Sequence, residues 1–319
     1  MAEYKGIKGF NIQTVSSDPA NPLVGEVWYN STSATVKYFA VQAGSWATGG
    51  NLNTARDKLA GCGTQTAALA VGGEPGALPA LVTVEEYNGS AWTSVTNQPT
   101  GLKRQGAAGT QTAALLFGGG NPITASTFEY DGSSWTAGGA LNSARYYLAG
   151  AGTQTAGLAF GGATPWGLVD TEEYDGSSWT VGGNLATGTY SLGGAGTQTA
   201  GLAFGGNPYS ALTEEYNGTA WTGGGALNTG RVNLAGAGLQ TAALAFGGAD
   251  VTPAITAATE EYDGSSWTNT TSMNVARKSL AGAGTNTAGL AFGGTTPPYS
   301  AATEEFTGGG PATLTVGTD

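Results

Sequence analysis

The chain has no histidine and a single cysteine, Cys62, and only 10% of its 319 residues are charged. Each shortage removes a class of chemistry. Without histidine there is no Ser–His–Asp type of triad and no Cys/His metal site. One cysteine cannot make a disulfide within the chain. Cys62 stands where the other five repeat copies have alanine, as at Ala151, and reads as a small buried residue. Basic residues number 11 against 22 acidic ones, a formal net charge of −11. That charge opposes nucleic acid and anionic membrane surfaces as partners. No apolar run approaches the length of a transmembrane helix. The opening MAEYKGIKGFNIQTVSSDP lacks the apolar stretch of a secretory signal, so folding is expected in the compartment of synthesis or export by a route the sequence does not encode.

Glycine, by contrast, is abundant, with 56 residues and no period of three, and aromatics reach 9%. That combination is neither collagen-like nor disordered. The glycines concentrate in a repeated segment. Residues 148–162 read LAGAGTQTAGLAFGG, and close copies begin at 59, 105, 192, 234 and 280. A second motif, of the form EEYDGSSWT (172–180), recurs with it and places tryptophans at 46, 92, 135, 179, 221 and 267. A period of about 44 residues built from four short strand-like pieces is that of a propeller blade.

In the third copy, Leu148 to Thr153 is the first strand and Thr155 to Gly161 the second. Strand periodicity puts Leu158 and Phe160 on one face and Gly157 and Ala159 on the other. Thr171 to Tyr174 is the third strand, and Ser178 to Val181 the fourth, carrying Trp179. Asp175-Gly176 between them predicts a two-residue type I′ turn, and Asn-Gly or Asp-Gly recurs there in five copies. The near-absence of side chains in the first strand fits six strands converging on one axis, and the large face of one blade then fills the small face of the next.

The chain ends decide the architecture. The last copy has three strands (280–306) but no tryptophan, whereas GSWATGG near Trp46 is a fourth strand with no first three before it. The expected fold is therefore all-β: a six-bladed β-propeller over 44–306, closed by the N-terminal strand at Trp46. A leader with a small hairpin (EVWYN, TVKYF) occupies 1–43, and a tail with one further strand occupies 307–319. Closure leaves only short protected edges.

Candidate sites follow the repeat. A glutamate precedes the third-strand aromatic in every copy (Glu86, Glu129, Glu173, Glu215, Glu261, Glu305), and an arginine precedes the first strand in four (Arg56, Arg145, Arg231, Arg277). Leu102 and Thr189 stand in the other two. One carboxylate per blade, spread around a ring, does not make an acid/base pair, which needs two carboxylates in one place. The glutamates are expected to pair with arginine or backbone, and the tryptophans to pack between blades. A ring of amides (Gln65, Gln111, Gln154, Gln198, Gln240, Asn286) is expected to bond together or to dock a partner. No non-repeated carboxylate pair is visible, and no catalytic residue, metal or cofactor is expected. The variable segments are the loops after the second strands, which hold eight of the twelve prolines. Three set an aromatic beside proline: Trp166, Tyr209 and Tyr299. These three are the candidate ligand-binding residues, because rigid loops on a scaffold are where binding concentrates.

Gly161-Gly162, Tyr174, Trp179 and Arg145, in that order and spacing, resemble the kelch repeat over about residues 44–306, with unusually short strands and a very small first strand. More narrowly, LAGAGTQTAGLAFGG…EEYDGSSWT resembles the kelch-like repeats of marine bacteriophage tail-fibre and other virion-associated proteins, and GEVWYNSTSATVKYFAVQAGSW (25–46) resembles a hairpin of phage fibres. The resemblance implies a non-enzymatic protein on the virion, assembled in the host cytoplasm and exposed on released particles. It implies tail-fibre-like recognition of a host receptor or glycan through the propeller loops. The alternative is a structural or decoration component contacting only other virion proteins. Expected partners are other virion proteins and a host-surface receptor or glycan, with self-association left open. YDGSSW superficially resembles a sialidase Asp-box, but its Asp and Gly are adjacent rather than separated by one residue, and the arginine cluster of sialidases is missing.

Overall fold

The computed structural model describes residues 12–76 and 79–316. The first part of the expected leader, two residues of the first proline-rich loop and the last three of the tail lie outside the described residues. Among the described residues there is no helix. Seven four-stranded sheets are present, six of them in one repeated, propeller-like pattern. The chain divides into two units, Ser45–Thr307 and a smaller one of Met1–Gly44 with Gly308–Asp319.

In the smaller unit, Val27–Asn30 and Thr35–Gln42 form the hairpin read from the sequence. Gln13–Val15 adds in parallel on one side and Gly310–Thr315 antiparallel on the other, so the tail strand belongs to this sheet. Asp18 accepts hydrogen bonds from Trp28 Nε1 (3.0 Å), Asn30 Nδ2 (2.7 Å) and Lys37 Nζ (2.7 Å). Those donors, Lys37 foremost, hold its carboxyl down to about 2.

In the larger unit, the third repeat sheet shows the common plan. Ala149–Gly152, Gly157–Phe160, Thr171–Tyr174 and Trp179–Val181 pair antiparallel in chain order. The first (strands from Ala60–Thr64 to Trp92–Ser94), second (Gly106–Thr110 to Trp135–Gly138), fourth (Gly193–Thr197 to Trp221–Gly223) and fifth (Ala235–Leu239 to Trp267–Thr270) sheets repeat it. The sixth takes its first three strands from 281–307 and its fourth from Ser45–Thr48, with Trp46 opposite Phe306.

The turn before the fourth strand differs from the sequence expectation. A type I′ turn needs positive φ at both central residues, but only the glycine has it, as at Gly176 (+92°). The connection is a four-residue loop, Asp175–Ser178, between the paired Tyr174 and Trp179. Asp175 Oδ1 accepts from the backbone N–H groups of Ser178 and Ser177, both at 2.8 Å. Together with the Ser177 hydroxyl these bonds hold the carboxyl down to about 2. An Asx loop therefore competes successfully with the tight hairpin.

Packing between sheets follows the expected large-against-small rule. Leu158 and Phe160 of the third sheet cluster with Leu185, Leu192, Ala203 and Trp221 of the fourth. Ala159 faces the other way, toward Leu115 and Phe117 of the second. A Cβ on Gly201 would come within 2.5 Å of Leu158 Cδ2. Equivalent clusters join every consecutive pair of sheets, and one joins Leu59, Tyr87 and Trp92 of the first sheet to Leu290 and Phe292 of the sixth. First strands lie side by side. There the bare glycines are obligatory: a Cβ on Gly236 would sit 2.7 Å from Gly194 O and 2.5 Å from Phe204 Cζ.

Polar bonds cross the same seams. Trp179 Nε1 donates to Thr127 Oγ1 (2.9 Å), and four other tryptophans bond the equivalent threonine of the preceding sheet, Trp46 reaching Thr259 and Trp92 reaching Thr303. Trp135 meets Val84 at that place and bonds Thr96 O instead. The glutamine turns do not bond one another. Each Gln Nε2 donates to two backbone carbonyls of the preceding sheet, as Gln154 does to Ala114 O (3.1 Å) and Tyr130 O (2.8 Å).

The glutamates also need correcting. Arginine pairs with the glutamate one residue earlier than expected: Arg56–Glu85, Arg145–Glu172, Arg231–Glu260 and Arg277–Glu304, at 2.8–3.1 Å and almost wholly buried. Neighbouring strand residues point to opposite faces, so the expected set faces the next sheet instead. Glu86, Glu129, Glu173, Glu215 and Glu305 each accept from the tyrosine hydroxyl of the following sheet, Tyr174 to Glu129 at 2.5 Å. Glu261 has no such donor, because Phe306 stands where the other copies have tyrosine.

Candidate functional site

Two residues after each arginine position, the backbone of all six repeats enters the left-handed region. Lys58, Arg104, Tyr147, Ser191, Asn233 and Ser279 have φ between 53° and 61°. This conformation costs about 1–3 kcal/mol in a non-glycine residue unless the surroundings enforce it. Here they do. Each N–H donates to the carbonyl of the matching residue in the preceding repeat: Arg104 to Lys58, Tyr147 to Arg104, Ser191 to Tyr147, Asn233 to Ser191, Ser279 to Asn233 and Lys58 to Ser279, at 2.8–2.9 Å. The six bonds form an unbroken cycle. It rims a cavity of about 150 Å³ floored by the small residues of the first strands.

The backbone repeats at this mouth, but the side chains do not. The residue pairs there are Asp57-Lys58, Lys103-Arg104, Tyr146-Tyr147, Tyr190-Ser191, Val232-Asn233 and Lys278-Ser279. Charge gathers on one side. Glu74 is bridged by Lys58 and Lys103, and Lys58 also stands 3.7 Å from Asp57. The Arg104 guanidinium lies over the Tyr147 ring at 4.3 Å and the Tyr146 ring at 5.6 Å, a cation–π arrangement. Arg104 Nε has no hydrogen-bond partner. Tyr147 continues to Tyr190, 6.0 Å between ring centres.

The fold thus makes a non-repeated carboxylate pair that the sequence reading does not find. Asp57 and Glu74 are paired across the backbone. Burial raises the Asp57 carboxyl and outweighs the hydrogen bond from Thr295 Oγ1 (2.6 Å) and the attraction of Lys58. Burial also opposes ionisation of Glu74, but the two lysines overcome it and hold that carboxyl below its usual value. The only sequence signal for this patch is that copies differ just where their backbones agree.

The aromatic loops start beside the rim, where Ala163, Asn207 and Thr295 pair through backbone bonds with Tyr146, Tyr190 and Lys278. Trp166 is 81% exposed. Its loop is held at the base by the backbone pairings Tyr146–Ala163 and Ala163–Gly167 and by Leu168 N–H donating to Gly162 O at 2.8 Å. Tyr209 and Tyr299 are only half-buried, and Tyr299 lies against Gly76. The three candidate residues come from the third, fourth and sixth sheets, and no ring pair joins them. Cys62 is buried, and burial pushes its thiol up to about 12, which leaves it inert as a nucleophile. No protein-family model matches the chain, and no curated protein matches it in sequence.

Proposed function

We propose that the six like sheets are the blades of one closed kelch-like propeller, and that the chain is a non-enzymatic binding module. In this reading it is carried on a bacteriophage particle and recognises a host-surface receptor or glycan through the face holding the mouth and the proline-aromatic loops. The fourth strand donated by Ser45–Thr48 and the cycle of backbone bonds support ring closure. The observation that carries the binding role is Trp166, an indole standing free in solvent on a loop anchored at both sides. Such a ring offers a large contact area with little conformational freedom to lose, as binding hot spots do.

The test is binding of purified protein to susceptible cells, with Trp166→Ala and Tyr209→Ala compared with the unaltered chain. Binding that falls at least about tenfold, the effect expected of a hot-spot tryptophan, supports the reading. Wild-type protein that ignores all susceptible cells defeats it. Labelling at the neck or head of particles, with no cell binding, would favour a component that touches only other virion proteins.

A further inference from the structure

The buried arginine sites are not all filled. In four sheets an arginine occupies the space between the end of the second strand and the third-strand glutamate. Arg145 Nη2 donates to Glu172 Oε1 (3.0 Å), and Nη1 donates to Gly161 O (3.2 Å) and Asp170 O (2.7 Å). Arg231 and Arg277 repeat these bonds on their own sheets. In the second sheet both members are replaced together, by Leu102 and Phe128, and no charge remains. The fourth sheet is the exception. Thr189 replaces the arginine, yet Glu214 is kept.

Glu214 is 8% exposed, and Oε2 accepts one backbone bond, from Ala186 N–H at 2.8 Å. In the arginine-bearing sheets an asparagine occupies the position of Ala186, as at Asn142, which adds a side-chain donor. Glu214 has therefore lost two side-chain donors. Thr189 does not compensate, since its hydroxyl points to Asn207 O at 3.4 Å. Beside the carboxylate lies a cavity of about 250 Å³ lined by Thr189, Gly205, Asn207, Pro208, Leu212 and Glu214, among others. Glycine and leucine here contribute the carbonyls matching Gly161 O and Asp170 O. The acceptors that hold a guanidinium elsewhere all recur around an empty space. Leaving one partner of a buried ion pair alone is strongly destabilising, so an unpaired Glu214 is a liability unless something else fills the place.

We infer that this pocket binds a guanidinium group supplied from outside the chain, by an arginine side chain of a partner protein or by a small free guanidine compound. Glu214 Oε1 takes one edge of the planar cation, and Gly205 O and Leu212 O take the other. The inference does not depend on the host-receptor reading.

The test titrates wild-type protein with methylguanidinium, with methylammonium as the control cation, following binding by calorimetry. Saturable binding of methylguanidinium, with Glu214→Gln weakening it about tenfold or more, as loss of one charge-assisted hydrogen bond requires, supports the site. Thr189→Arg should supply the guanidinium internally, so this variant should melt higher and no longer bind the probe. Should Thr189→Arg fail to fold, the Glu214→Gln titration decides alone. No binding by wild type, equal affinity for methylammonium, or unchanged binding in folded Glu214→Gln overturns it. Once binding is seen, an arginine-containing tripeptide tighter than agmatine points to a partner's side chain, and the reverse to a small molecule. Either order supports the pocket.

Discussion

Arg145 and Glu172 are 3.0 Å apart and almost wholly buried, and burial pulls the guanidinium below its ordinary value against the opposing pull of Glu172. Arg145→Leu alone should therefore cost about 3–5 kcal/mol, because it strands a charge. Arg145→Leu with Glu172→Phe copies the second sheet and should recover most of that loss, short of what Asn142 forfeits with its acceptor. Denaturant midpoints of the single and double variants give the comparison. Phe306 is a second informative residue. Where other copies bond tyrosine to glutamate, the facing fourth strand tends to carry glycine. A Cβ on Gly138 would lie 2.5 Å from the Tyr174 hydroxyl. Opposite Phe306 the matching residue is Thr270, which takes that space. Phe306→Tyr with Thr270→Gly should let the new hydroxyl reach Glu261 and gain about 1 kcal/mol, the bond's worth less the cost of a strand glycine. Phe306→Tyr alone should gain less or lose stability.

At the scale of the strand, Ser45–Thr48 tests whether distance along the chain matters to an element's worth. Trp46 packs on Phe246 (5.3 Å) and Phe306 (5.1 Å) and bonds Thr259, 213 residues away in sequence. Trp46→Ala should cost about 3–5 kcal/mol, as Trp179→Ala should. Trp135→Ala should cost less, since Trp135 is half-exposed and bonds only a carbonyl. Thermal melts of the three variants decide this; an unchanged melting curve for Trp46→Ala would remove the main support for closure through that strand. Seams between sheets were largely readable in advance, because a period-two pattern of large and small residues dictates which face meets which. The pairing of third-strand glutamates was not readable. Glu172 and Glu173 are chemically identical neighbours, and only the surrounding strands decide that one meets arginine and the other tyrosine.

For the molecule as a whole, the tyrosine–glutamate bonds predict an alkaline limit. Tyr87, Tyr174, Tyr216 and Tyr262 are raised from 10.0 to about 12, by burial first and then by their hydrogen bonds to glutamate; Tyr130 is raised in the same way. Below pH 10 these phenols are neutral in both folded and unfolded chains, so their contribution is fully present. Above it the unfolded chain ionises first, and stability falls until the folded phenols ionise near 12. Unfolding midpoints should hold up to about pH 10 and then decline, and the phenolate absorbance of the folded protein should rise late. Replacing all five tyrosines by phenylalanine, as nature has at Phe306, should flatten the decline; a decline of the same size in that variant would refute the assignment.

The six copies, their four strands, the bare first strand and the facing of Leu158 and Phe160 are determined by the sequence alone, because each is a repeated local pattern with a definite period. Trp166 was likewise legible as a loop aromatic. The tertiary structure alone decided the rest. The Asx loop won over the tight turn because Asp175 captures two backbone donors that propensity does not count. Lys58 and Arg104 came to line one mouth, with Asp57 and Glu74 held against Lys58, only when six left-handed turns were drawn together by a cycle of backbone bonds. The pocket at Glu214 is visible only beside its filled counterparts. Thr189 looks like an ordinary substitution until the fold shows that its carboxylate partner stayed behind.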